Sequence, residues 1–231
     1  GVRLVGSEMC IRDSIKSSLP EEIPLIGFCG SPWTLAAYSI EGRSSKDFEK
    51  TLGFLESNQK DVHDLLIKYT DACFLYLRKQ VQSGADVIQI FDSWANLLTK
   101  EGLIEFSFNY INSLISALKL DPVTKNIPVI IFARNPKCNI EELINTSADC
   151  ISLFWSMNDL NFEVAKNKVA IQGNLDPKIL LESDETIKRE TYKILERFKE
   201  YPGYIFNLGH GITPDISPDK IKYLTNTVRE Y

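Results

Sequence analysis

The sequence predicts an α/β fold of the (β/α)8 TIM-barrel type, with six of the eight strands present because the N-terminal part is missing. Six short apolar or β-branched runs recur along the 231 residues, and stretches long enough for helices separate them. Each run leads into a cluster of polar residues, glycine or proline. Strands that alternate with helices pair in parallel, because the crossover returns every strand in the same direction.

The six runs are predicted as buried strands, since each is rich in aliphatic and aromatic residues. They are Pro24–Cys29, Asp86–Phe91, Pro128–Ala133, Cys150–Trp155, Val169–Gln172 and Tyr204–Asn207. The clearest helix is predicted over Asp61–Ser83, where apolar residues recur at helical spacing. The rival fold is an open doubly wound sheet, but the GxGxxG phosphate loop typical of that fold does not follow the first strand.

The N-terminal segment Gly1–Ser14 has neither the apolar core of a signal peptide nor a helical stripe, and it does not begin with Met. We expect residues 1–14 to be a non-native or disordered leader. Residues 15–231 are predicted to form one incomplete barrel domain, because a full barrel needs eight strands and typically about 250 residues. The first and last strands should then have unpaired edges.

Composition excludes several classes of protein. The formal net charge of −5, from 26 Lys+Arg and 31 Asp+Glu, disfavours nucleic-acid binding. Apolar runs are too short to span a membrane. The cysteines are odd in number and contain no CxxC pair, which disfavours a disulfide framework or a zinc site and indicates a reducing, cytoplasmic compartment. They are Cys10, Cys29, Cys73, Cys138 and Cys150.

Ligands of parallel α/β folds bind at the carboxyl ends of the strands, where the candidate site residues are found. His210 lies between two glycines after the last strand, and Ser93 follows the second strand. His210 contacts substrate or caps a turn; Ser93 binds a carboxylate or caps the next helix. Tyr38 can donate a hydrogen bond to developing charge or pack in the core. Phe28 closes the first strand and can line the site or the core.

Two further residues, the second histidine and one cysteine, are not assigned to the site. His63 lies within the predicted amphipathic helix, where we expect a structural role. Cys138 has no nearby histidine in the sequence, so no metal site is predicted.

Four ordered strings resemble the uroporphyrinogen decarboxylase family. They are PLIGFCGSPWTLAAYSIEG at 24–42, GADVIQIFDSWA at 84–95, IQGNLDP at 171–177 and FNLGHGITPDISP at 206–218. The resemblance implies a (β/α)8 barrel, usually a homodimer, that removes carbon dioxide from the four acetate side chains of uroporphyrinogen III to give coproporphyrinogen III. It implies no metal or organic cofactor, and a small-molecule porphyrinogen as the partner.

By position, the resemblance implies that Tyr38 is the catalytic tyrosine and that Ser93, His210 and Phe28 contact substrate. Two features of the family do not occur here: the RQAGR arginines, and the aspartate that hydrogen-bonds the pyrrole N–H groups. We therefore expect this chain by itself to be inactive. The segment after the third strand, RNPKC, also departs from the FxKG-type turn, which makes Arg134 and Lys137 candidate carboxylate contacts.

Two alternatives remain open at this point. A corrinoid-linked methyltransferase of the same superfamily holds zinc through a His-x-Cys motif, but Ala133, Arg134 and Asn135 occupy the equivalent strand end. The second alternative is a catalytically silent fragment that retains the barrel sequence.

Overall fold

The computed structural model describes residues 14–43, 45, 47–157 and 161–231, which contain one parallel sheet of six strands. The strands lie in chain order, as expected when each crossover leads to the next position in a (β/α)8 arrangement. Their bounds are β1 Ile26–Gly30, β2 Val87–Asp92, β3 Val129–Ala133, β4 Cys150–Ser152, β5 Ala170–Gln172 and β6 Tyr204–Ile205. All six predicted strands and their parallel pairing are confirmed. Of the predicted leader, only Ser14 lies within the described residues, and it is helical.

Helices and helical turns connect the strands. The helices are α1 Pro32–Glu41, α2 Glu49–Ser57, α3 Gln59–Gln82, α4 Asn109–Leu120, α5 Ile140–Ile144, α6 Asp184–Phe198 and α7 Pro218–Glu230. A turn at Lys100–Gly102 and the π-helical Leu103–Phe108 lead into α4, and 3₁₀ turns occur at Ala95–Leu97, Phe162–Val164 and Pro177–Leu181. Helix α3 agrees with the prediction for Asp61–Ser83 to within two residues at its start and one at its end.

Local sequence signals define where helix α1 begins, just after β1, and where it ends. The Ser31 hydroxyl accepts a hydrogen bond from the Thr34 N–H, and Pro32 occupies the first turn, where its missing N–H is tolerated. Gly42 ends the helix with φ of +80°, a left-handed conformation that favours glycine. These signals fix the direction in which α1 leaves the sheet.

The two faces of the sheet have different chemistry. Side chains that point toward the helices form the core, for example Ile88 and Ile90 of β2 and Ile131 of β3, all fully buried. The residues that alternate with them point to the other face, and Ile26 and Phe28 of β1 and Ile205 of β6 are exposed there.

Predicted strands four and six are too long. Strand β4 ends at Ser152, three residues before the predicted end, because the backbone turns at Phe154–Met157. Strand β6 ends at Ile205, two residues early, although hydrogen bonding to the neighbouring segment continues through Asn207 and an isolated bridge at Leu208. Both differences arise where the chain leaves the sheet to form the loops at its carboxyl end.

In the part of the chain that the structure describes, β1 has no partner strand on its outer side, as expected, but a side chain satisfies part of that edge. Leu25 and Ser31 bond to β2, so the backbone groups of Phe28 face away from β2. The Gln80 side chain donates to Phe28 O at 2.8 Å and accepts from Phe28 N at 2.7 Å. This side-chain amide supplies the bonds that a neighbouring strand would otherwise make to Phe28.

His63 has the structural contacts expected of a helix residue. Its Nδ1 lies 2.6 Å from the Tyr110 hydroxyl, its ring stacks on Phe106 at 4.9 Å, and its Nε2 lies 3.3 Å from a Glu105 carboxylate oxygen. His63 therefore joins α3 to the π-helical segment and α4.

Two predictions from composition concern disulfide bonds and membrane-spanning helices. Cys29, Cys73, Cys138 and Cys150 are free thiols, and Cys10 lies outside the described residues. Within the described ranges, none of the helices combines the length and the apolar character needed to cross a membrane.

Candidate active site

A cavity of about 430 Å³ opens at the carboxyl ends of the strands, where ligands bind in parallel α/β folds. Residues from β2, β3, β4 and the loop after β6 line it. They are Gln89, Phe91, Ser93, Phe132, Ser152, Asn207, Leu208, His210, Gly211 and Ile212. Among the described residues, the lining combines aromatic surface with amide, hydroxyl and imidazole groups and includes no carboxylate. Such a lining can contact aromatic rings through its apolar surface and anionic substituents through its polar groups.

His210 is at the mouth of this cavity, held by two aromatic rings. Its imidazole stacks nearly parallel on Phe132, with ring centroids 5.9 Å apart, and meets the edge of Phe154 at 5.8 Å. Loss of surrounding water lowers the pKa of His210, and the positive charge of Arg134 lowers it further. Both effects favour the neutral ring, which presents one N–H donor and one acceptor.

A backbone hydrogen bond holds Ser93 in place beside the cavity. Its backbone N–H donates to Thr34 Oγ1 at 2.9 Å, which ties the end of β2 to the start of α1. The Ser93 side chain is half-buried and lines the cavity opposite the loop that carries His210. The structure thus brings together two of the predicted site residues, Ser93 and His210.

Asp92, next to Ser93, points away from the cavity into a nest of hydroxyl groups. Ser31 Oγ and Thr34 Oγ1 donate to its Oδ1 at 3.0 and 3.1 Å, and Ser107 Oγ donates to its Oδ2. Burial raises the pKa of Asp92, while these hydrogen bonds oppose that shift. The carboxyl group connects β2, α1 and the π-helical segment beneath the site.

Tyr38 and Phe28 are beside the cavity and are not among its lining residues. The Tyr38 ring is 40% exposed and meets the edge of Trp94 at 5.8 Å, one residue beyond Ser93. Phe28 is 56% exposed and meets the edge of Phe91, which does line the cavity, at 5.9 Å. Phe28 thus adjoins the cavity through Phe91, whereas Tyr38 contacts Trp94, which follows the lining residue Ser93 and does not itself line the cavity.

Sequence reasoning missed several lining residues that lie within the strands. Gln89, Phe132 and Ser152 share the cavity face because side chains of one strand alternate between faces and the parallel register aligns them. A single polar residue in an otherwise apolar strand, as at Gln89 in β2 and Ser152 in β4, is the signal that would have found two of them. Phe132 carries no such signal, because all of β3 is apolar.

Metal ligands do not cluster in the part of the chain that the structure describes. No group of three or more His, Cys, Asp or Glu side chains in that part could hold an ion. Burial raises the pKa of the Cys138 thiol to about 12, so a thiolate there is disfavoured.

Comparison with known proteins identifies a family. The family described as uroporphyrinogen decarboxylase (URO-D) matches residues 10–231. The uroporphyrinogen decarboxylase of Ruthia magnifica is 42% identical over 98% of this chain and 67% of that protein. The enzyme of the same name from Alcanivorax borkumensis is 40% identical over 98% of this chain and 64% of its own length. The chain thus spans about two thirds of the length of these relatives.

A solved structure supports the fold. A methyltransferase from Methanosarcina mazei superposes with a TM-score of 0.75 over 96% of this chain and 63% of that chain, at 19% sequence identity. At this identity the likeness shows the fold alone.

Proposed function

Since the chain belongs to the uroporphyrinogen decarboxylase family, we propose that the protein removes carbon dioxide from the four acetate side chains of uroporphyrinogen III, giving coproporphyrinogen III in tetrapyrrole biosynthesis. The observation that carries this proposal is the cavity at the carboxyl ends of the strands, in which Ser93 and His210 meet an aromatic floor and the described lining residues include no carboxylate. Phe91 and Phe132 offer apolar surface to the macrocycle. The Ser93 hydroxyl and the neutral His210 N–H can donate hydrogen bonds to its carboxylates.

The proposed chemistry requires no electron sink besides the substrate. Protonation of a pyrrole ring makes that ring electron-deficient. The bond between the acetate methylene and its carboxylate then breaks, carbon dioxide leaves, and the electron pair moves into the ring. A proton added to the methylene carbon completes a methyl group, and the ring then loses the proton it had gained. The pyrrole is thereby restored, and each acetate consumes one proton overall. The protein has to bind the carboxylates, orient one acetate and stabilise the ring cation.

Product analysis tests this proposal. The complete polypeptide that carries this chain, with any flanking residues it has, should convert uroporphyrinogen to coproporphyrinogen in the presence of a strong chelator. Activity that disappears when zinc is removed and returns when zinc is added would contradict it and favour the methyltransferase-like alternative. A folded complete polypeptide that releases no carbon dioxide would favour the catalytically silent alternative.

Tyr38 is proposed as the residue that acts on charge formed in the transition state. Tyr38→Phe should lower kcat by about tenfold to a hundredfold and change KM by less than threefold, because the ring and its contact with Trp94 remain. His210→Ala should instead raise KM more than it lowers kcat, because it removes a group proposed to bind a side-chain carboxylate. Steady-state kinetics on both variants check the assignment. Negligible effects of both substitutions would show that it is wrong.

We also propose that the protein is cytoplasmic and forms a homodimer. The four described cysteines remain thiols, which supports a cytoplasmic, reducing compartment. The family resemblance supports a homodimer. Sedimentation of the complete polypeptide should give twice the mass of one chain, and a monomer at micromolar concentration would contradict this.

A further inference from the structure

Arg134 is a cation at the rim of the candidate active site. Its backbone N–H donates to Asp92 O at 3.0 Å, which continues the pairing of β3 with β2 and fixes where the side chain begins. The side chain is half-buried, and its guanidinium carbon lies 5.5 Å from the centre of the Trp94 ring. An aromatic face at this distance attracts a guanidinium group and limits where it can lie.

The surroundings of Arg134 place its charge next to the cavity. Trp94 directly follows Ser93, which lines the cavity. The backbone of Arg134 pairs with the end of β2 just before Ser93, and its positive charge contributes to lowering the pKa of His210. The ion pairs found among the described residues do not include Arg134. Stacking on an aromatic ring leaves the N–H groups at the edge of a guanidinium plane available to an anion.

We propose that Arg134, held against Trp94, binds one side-chain carboxylate of the macrocycle at the rim of the cavity, next to His210. This rests on the proposed function and adds a carboxylate-binding residue to it. The guanidinium can form two parallel hydrogen bonds to a carboxylate, which fixes the direction of that substituent as well as its position. Trp94 is a positioning residue, since it acts on the substrate through Arg134.

Lys137 provides the matched comparison, because it lies in the same loop with its side chain exposed. A general attraction between the loop and an anionic ligand would depend on both cations. A specific contact would depend on Arg134 alone. The substitution Arg134→Lys would then preserve only part of the binding, because an ammonium group cannot make the two parallel hydrogen bonds of a guanidinium group.

Binding of uroporphyrin, the oxidised macrocycle with the same eight carboxylates, tests the proposal without requiring turnover. Fluorescence titration of the complete polypeptide should show Kd at least about tenfold higher for Arg134→Met, a smaller increase for Arg134→Lys, and less than a twofold change for Lys137→Gln. Trp94→Leu should weaken binding less when Arg134→Met is already present than it does alone. Thermal unfolding of each variant confirms that it is folded.

The outcomes separate this proposal from the proposed function. Equal Kd values for wild type and Arg134→Met, or equal losses from Arg134→Met and Lys137→Gln, would overturn the role of Arg134. If wild type binds uroporphyrin through Arg134 as described but releases no carbon dioxide from uroporphyrinogen, the decarboxylase proposal fails while the carboxylate contact stands.

Discussion

Gly209→Ala should destabilise the protein and abolish substrate binding, while Gly211→Ala, on the other side of His210, should leave stability nearly unchanged. A Cβ atom at Gly209 would lie 2.4 Å from Trp155 N and 2.6 Å from Trp155 Cα. Because the clash is with backbone, no side-chain rotation can relieve it. A Cβ atom at Gly211 has no neighbour within 4 Å.

The size of the stability loss in Gly209→Ala follows from the contacts of the loop after β6, which the new Cβ atom would displace. The loop after β6 is anchored by the Gly209 N–H, which donates to Leu175 O at 2.8 Å. Displacing this bond and overpacking the loop should cost about 3 kcal/mol or more, whereas Gly211→Ala should fall within about 0.5 kcal/mol. Urea unfolding of both variants measures the difference. Equal free energies of unfolding would show that the loop does not pack against Trp155 as described.

Asp92→Ala should be the second most disruptive change, although Asp92 does not face the cavity. It leaves the hydroxyl groups of Ser31, Thr34 and Ser107 without their shared acceptor in a buried position. At about 1 kcal/mol for each unsatisfied hydroxyl, the loss of stability should be about 3 kcal/mol. Activity should fall as well, because Thr34 also accepts the Ser93 N–H. Asp71→Ala, at an exposed position of α3, is the matched control and should change stability little.

The loss of unfolding free energy caused by Asp92→Ala should become smaller as the pH rises. Burial raises the pKa of Asp92 in the folded protein above its unfolded value, so the folded state binds the proton more tightly. Its contribution to stability is therefore fully present below the unfolded pKa and decreases as pH rises through the folded pKa. The difference in unfolding free energy between wild type and Asp92→Ala should shrink over that range. A difference that grows with pH would mean that the hydroxyl donors outweigh burial.

The sequence was sufficient to predict the six strands, their parallel pairing and the end of the sheet that carries the site. These depend on local patterns, namely apolar runs, helical spacing and the polar residues that follow each strand. The register between strands could not be predicted from the sequence, since it depends on contacts between distant segments. For that reason Gln89 and Ser152, although each is a polar residue in an apolar strand, could not be placed beside Ser93 in one cavity.

Side-chain contacts across the sheet were the least predictable part. Nothing local in the sequence indicates that Gln80 of α3 supplies hydrogen bonds to the edge of β1, or that Asp92 turns toward three hydroxyl groups. Likewise, the pairing of Arg134 with Trp94 joins the ends of two strands that are 40 residues apart in the chain. Such contacts need the tertiary structure, because they form between groups that only the fold brings together.

The most direct test of the account is a crystal structure of the complete polypeptide with bound coproporphyrinogen, the proposed product. We expect the macrocycle to lie against Phe91 and Phe132, with side-chain carboxylates within hydrogen-bond distance of His210 and Ser93. A macrocycle bound at the amino ends of the strands, or on the outer surface of the helices, would contradict the central claim that decarboxylation takes place in this cavity.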